Sequence, residues 1–258
     1  MVTAEQPPAD LLPPASALAV LLPADIDLAT GRGLRHPQAH EVWCGVVWGR
    51  LGRGDRAAAA FALVTARQLA PWIAAERGRL RRELGDHAGA ARLEEPALSV
   101  AEDPVDRAML LISLAADAVG HADAAVAGQR LATAQRVLNE EAPPGPRRER
   151  QRLRAGWVEV EIALLRGQVP DDSALPSLDA DGELRLPPPY VAGSRFHLAK
   201  GLLFAGVLRA DRTLLDLALE HAPPALWWAV QLARAAHGVA GAEVAGQRAR
   251  AAIVPLPG

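Results

Sequence analysis

One short phrase recurs along the first half of this chain: a helical stretch, a glycine with a polar neighbour, then an alanine about five residues later. It reads Gly54-Asp55 with Ala59, Gly85-Asp86 with Ala90, and Gly120-His121 with Ala125. Self-similarity at an interval of roughly 30 to 35 residues marks stacked helical hairpins. Each part has a mechanical role. The glycine accepts the left-handed conformation that closes a helix. The polar neighbour can cap the next helix by accepting from its free amides. The alanine lets two helices approach closely.

Composition agrees with helix. Half of the 258 residues are hydrophobic and 4% are aromatic, a balance that favours helix over strand and excludes bulk disorder. Lys200 is the only lysine, so the positive charge is almost all arginine; GC-rich coding is a sufficient explanation. The net charge of −2 gives no global attraction to nucleic acid or to an anionic membrane. A single cysteine, Cys44, excludes an intrachain disulfide. The apolar run Ala15 to Leu22 lacks a basic n-region and is too short to span a bilayer. A soluble cytoplasmic protein is expected.

Punctuation divides the chain. Residues 1–36 are expected to be a mobile leader with a short helix near Ala15 to Leu22. Residues 37–166 carry the array, with helices expected at Pro37 to Leu51, Arg56 to Ala70, Pro71 to Leu84, and Asp86 to about Val100. Further helices follow at Pro104 to Gly120, Asp123 to Asn139 and Arg147 to Arg166. Asp55 is expected to N-cap the second of these. Residues 167–189 form an irregular proline-rich loop, the natural boundary. Residues 190–258 are expected to form C-terminal helical pairs packing on the array. The fold class is therefore all-α, with roughly ten helices.

The helix pairs from Ala39 to about Leu138 resemble tetratricopeptide repeats. The first unit offers Trp43, Gly54-Asp55, Ala59, Ala66 and Pro71. The second offers Gly78, Gly85-Asp86, Ala90 and Ala97, and the third Gly120, Ala125 and Ala132. The family's helix A aromatic is replaced by Arg50 and Arg81, and its helix B aromatic by Leu63, Glu94 and Gln129. Beyond 138 the match is degenerate. The resemblance implies an antiparallel helix-hairpin array, an α-solenoid, with a concave binding groove. By the family's register Glu41, Cys44, Leu110 and Leu114 would face inward, as would the partner-binding candidates Trp48, Trp72, Arg79, Arg82, Glu83, Arg107 and Asp117. Arginine and tryptophan are over-represented at interface hot spots. Guanidinium pairs bidentately with carboxylate, so an acidic peptide segment or a chain-terminal carboxylate is the expected ligand.

Catalytic signatures are lacking. The sequence contains no P-loop, no G-x-S-x-G elbow, no H-E-x-x-H and no paired-cysteine motif. His36 and His40 with Glu41 have metal-like spacing, but Pro37 puts His36 before the helix. Asp171-Asp172 and Asp25/Asp27 read as loop acids. The basic run Arg147 to Arg154 reads as a solvated helix face rather than a phosphate site. Of Trp227 and Trp228, adjacent on a helix, at most one should be deeply buried. The function expected is a non-enzymatic scaffold or adaptor that binds a protein or peptide and needs no cofactor and no metal. The alternative is a ligand-sensing or regulatory module with a pocket between the array and the C-terminal helices. Nothing in the sequence fixes an oligomeric state.

Overall fold

The computed structural model describes residues 38–173, 175–187 and 195–255. The leader, His36, the Asp25/Asp27 pair and the start of the helix expected from Tyr190 lie outside the described residues. Among the described residues are eleven α-helices and one two-stranded hairpin, so the chain is all-α. The helices are α1 (Ala39–Arg50), α2 (Gly54–Ala62), α3 (Ala70–Glu83), α4 (His87–Val100), α5 (Pro104–Gly120) and α6 (Ala124–Glu140). They continue with α7 (Pro146–Leu165), α8 (Arg195–Arg209), α9 (Arg212–His221), α10 (Pro224–Ala236) and α11 (Ala242–Ala251).

Aspartates start four of them. The side chains of Asp86, Asp103, Asp123 and Asp211 each accept from free amides in the first turn of α4, α5, α6 and α9. Proline opens α3, α5, α7 and α10, where its missing N–H costs nothing.

The recurring phrase holds as read only in its middle copy. Gly85 has φ 85°, Asp86 caps, and Ala90 is fully buried. In the third copy α5 runs on through Gly120. The left-handed residue is Ala122, with φ 58°, Asp123 caps, and the buried alanine is Ala127 while Ala125 is exposed. The cap, not the glycine, sets the register there. Ala210, Asp211 and buried Leu215 repeat the device at the start of α9. In the first copy Asp55 lies inside α2 and pairs with Arg53, and Ala57 and Ala60 are buried while Ala59 is exposed.

The helix expected from Arg56 to Ala70 ends at Ala62. Gln38 explains the break. Its amide donates to the Leu63 carbonyl at 3.0 Å, and its Oε1 accepts from the Thr65 and Ala66 amides at 3.1 and 2.9 Å. These contacts satisfy backbone groups that a continuing helix would have used. A 3₁₀ turn, Arg67–Leu69, then leads into α3.

Two units result. Among the described residues, the first comprises those up to Ala66, Leu175–Pro187 and those from Arg195 on; the second comprises those from Arg67 to Ser173. In the first unit α1 packs on α2 and on α10, α8 on α9 and α10, and α10 on α11. A Cβ on Gly45 would lie 2.2 Å from the Phe61 ring, so that glycine permits the close approach of α1 and α2. The stretch expected to be irregular contains strands β1 (Ser177–Leu178) and β2 (Leu184–Arg185), paired antiparallel. Asp179 organises their turn by accepting from the Asp181 and Glu183 amides. Arg209 of α8 ties the hairpin down by donating to the Pro176 carbonyl at 2.6 Å.

In the second unit α5 is the central helix and packs on α3, α4, α6 and α7. Its apolar core mixes alanines with larger residues: Ala108, Ala115, Ala127 and Ala134 are fully buried beside Ile112 and Leu138.

Candidate functional site

The densest constellation of ionisable groups lies in the second unit and is mostly buried. Glu94 of α4 is 0% exposed and Asp117 of α5 is 1% exposed. One guanidinium serves both. Arg82 of α3 donates from Nη2 to Glu94 Oε1 at 2.8 Å and from Nη1 to Glu94 Oε2 at 3.1 Å, a forked pair. Its Nη1 also reaches Asp117 Oδ2 at 2.8 Å and the Ser113 carbonyl at 3.2 Å. Gly78 makes the room, since a Cβ there would lie 2.1 Å from Glu94 Oε1.

The cluster continues outward on both sides. Arg154 of α7 donates to Ser113 Oγ at 2.9 Å and to Gln151 Oε1 at 2.8 Å. The second Asp117 oxygen, Oδ1, is 3.4 Å from His87 Nδ1, within ion-pair distance but without hydrogen-bond geometry. The His87 ring lies against Gly120, where a Cβ would sit 2.3 Å from it, and meets His121 edge-on at 6.0 Å. Polar side chains thus tie α3, α4, α5 and α7 together.

Charge is unevenly compensated. Burial works against the charge on Arg82, but the Glu94 and Asp117 carboxylates outweigh it and hold the guanidinium protonated. Burial also raises Glu94, to about 7, against the pull of Arg82, and Asp117 adds to the rise. One positive charge shared by two buried carboxylates leaves Glu94 incompletely compensated.

A second cluster sits at the start of α5. Arg147 of α7 donates to Asp103 Oδ2 at 3.2 Å and to Asp106 Oδ1 at 2.6 Å. Its guanidinium lies 5.5 Å from the centre of the Trp72 ring. Burial pushes Asp106 up to about 6, with Arg147 opposing. On α3, Arg79 bridges Glu76 at 2.8 Å and Glu83 at 2.6 Å along one helix face. Arg107 pairs with Glu141.

Six of the seven partner-binding candidates therefore lie in the second unit: Trp72, Arg79, Arg82, Glu83, Arg107 and Asp117. Trp48 lies in the first, buried, with Arg56 4.8 Å above its ring. Arg82 and Asp117 are joined directly, as are Arg79 and Glu83. Trp72 is buried, and Arg107, at 34% exposure, is the most open of the charged members. Residues that sequence reasoning missed complete the cluster: Gly78, Glu94, Ser113 and Arg154. A signal existed, since Glu94 is an acid where the family pattern has a large aromatic. The basic run is not a solvated face: Arg150 and Gln151 are buried, and Arg147 and Arg154 point their guanidinium groups at partners on α5.

Cys44 is fully buried, 3.7 Å from His40 Nε2, and burial, aided by Glu41, pushes its thiol up to about 11. A thiol held protonated in this way is a weak nucleophile. Among the described residues, no group of three or more His, Cys, Asp or Glu is placed to hold a metal ion. Among them, too, no helix is long and apolar enough to cross a membrane. Neither family models, nor curated proteins, nor solved structures match this chain.

Proposed function

We propose that this chain is a non-enzymatic, cytoplasmic scaffold of tetratricopeptide-like helical hairpins that binds a segment of a partner protein, an acidic one by preference. The observation that carries the reading is the packing order of the second unit. Hairpin α3–α4 meets hairpin α5–α6 through α5, and α5 then meets α7, so each first helix packs on the next. First helices packed in succession are the arrangement from which helical-repeat arrays are built, and Arg147 of α7 also reaches past α5 to Trp72 of α3.

In this reading the contact face is made by α3 and α5. Arg79, Glu83 and Arg107 meet the partner, and the buried Arg82, Asp117 and Trp72 hold those helices in register beneath it. Trp48, buried in the first unit, takes no part in this face. The single cysteine suits a reducing compartment. The test is direct binding of a captured partner to wild type and to an Arg79→Ala/Arg107→Ala variant. A tenfold or greater loss of affinity is expected, measured at a temperature where circular dichroism shows both proteins fully folded. Equal affinity would remove the α3/α5 face from the proposal.

A further inference from the structure

The turn between α1 and α2 carries a strand-like pairing unrelated to the charged cluster. The Gly54 amide donates to the Val254 carbonyl at 2.8 Å, and the Val254 amide donates to the Gly52 carbonyl at 2.7 Å. Arg53 and Val254 thus form an isolated parallel bridge. Ile253 lies against Gly52, its Cγ1 3.5 Å from where a Cβ would stand. Gly52 also has φ 75°, so a side chain there would be strained. Gly54 begins α2, so the turn offers no further extended residue and the pairing stops after one residue.

This pairing joins pieces that are distant in sequence. The α1–α2 hairpin belongs to the same unit as α8–α11, and α1 packs on α10. The Arg50 guanidinium sits 3.5 Å from the centre of the Phe196 ring. The segment after α11 adds a main-chain clamp at the hairpin's own turn. A short edge whose amide and carbonyl pair with an extended segment is the chemistry of strand addition, with affinity from the main chain and selectivity from the side chains.

We propose that the edge at Gly52–Gly54 is a docking site for an extended segment, filled here by this chain's own Ile253–Val254, which straps the α1–α2 hairpin closed. The segment it fits is an apolar residue against Gly52, then a residue offering both main-chain groups. The strap is held at one residue, so it opens locally before the unit unfolds.

Full-length Val254→Pro removes the donor to the Gly52 carbonyl and restricts Ile253. Hydrogen exchange at the Gly54 amide and along α1 and α2 should quicken by about tenfold or more, with α5 and α6 unchanged. A peptide carrying residues 251–258, added in trans to that variant, should restore slow exchange at Gly54. The same peptide with the Val254→Pro change should not. Wild-type exchange in the variant, or no effect of the peptide, overturns the proposal. Should Val254→Pro fail to fold, Ile253→Ala serves instead: about threefold faster exchange at the same amides is expected, and unchanged exchange overturns the proposal.

Discussion

Arg82→Met removes the only cation that touches both Glu94 and Asp117 among the hydrogen bonds described for them. The side chain it replaces is 12% exposed, so solvent screens little of the loss. Breaking a buried pair from one side costs about 3–5 kcal/mol, because a charge is left uncompensated. Here two carboxylates are orphaned, which places the cost toward the upper figure at neutral pH. In a unit of this size each kcal/mol moves the midpoint by roughly 4 °C, so a fall of about 12 °C or more is expected. The pH dependence identifies the cause. Losing Arg82 raises the folded-state Glu94 carboxyl further above its unfolded value of about 4. A raised carboxyl contributes stability below its unfolded value and loses it as pH rises through its folded value. The deficit of the variant should therefore be small near pH 5 and largest near pH 8. Urea unfolding followed by helical circular dichroism at both pH values measures it. A deficit under about 1 kcal/mol at pH 8, or one equal at the two pH values, would refute the argument that buried carboxylates are what Arg82 compensates.

Three further outcomes follow from the same geometry. In wild type, Glu94 at about 7 and Asp106 at about 6 are raised, so stability should fall as pH climbs from about 5 to 8; Glu94→Gln should flatten most of that slope in urea titrations. Gly78→Ala, elsewhere in a helix a gain of about 1 kcal/mol, should instead destabilise by about 2 kcal/mol, because the new Cβ displaces Glu94 from Arg82. Ala122→Gly should raise stability by about 1 kcal/mol in thermal melts, since Ala122 sits in the left-handed region where alanine is strained.

Helices were legible because their signals are local. Proline at the start and aspartate at the cap placed α3 to α7 within a residue or two. Where the sequence reading slipped, a non-local contact decided. Gln38 ends α2 early from twenty-odd residues away, and no window on residues 56–70 contains it. Ala122 takes a conformation expected of glycine, so the visible Gly120 misplaced the third copy. The charged cluster was half legible. The sequence marks Arg82 and Asp117 as inward-facing, but as groups waiting for a partner. Their partners were Glu94, read only as a missing aromatic, and one another.

A buried ion cluster is poor evidence for stability but can specify which packing is adopted. The second unit needs such a specifier. Buried alanines stand on α3 (Ala75), α4 (Ala90 and Ala97), α5 (Ala108 and Ala115) and α7 (Ala155), and alanine ridges interlock weakly, so they set the register of α3, α4 and α7 on α5 only loosely. Arg82 has its fork satisfied in one register only, with Glu94 seated against Gly78 and Asp117 opposite. Replacing all three by apolar residues of similar size, as Arg82→Met/Glu94→Met/Asp117→Leu, separates the two roles. If the cluster is a specifier, the triple variant should match or exceed wild type in unfolding free energy. Its amide resonances along α3 and α4 should broaden or double as alternative registers are sampled on the microsecond to millisecond scale. Sharp, single resonances in a variant of undiminished stability would show that alanine packing alone selects the register. The cluster would then be an occupant of the core rather than its organiser.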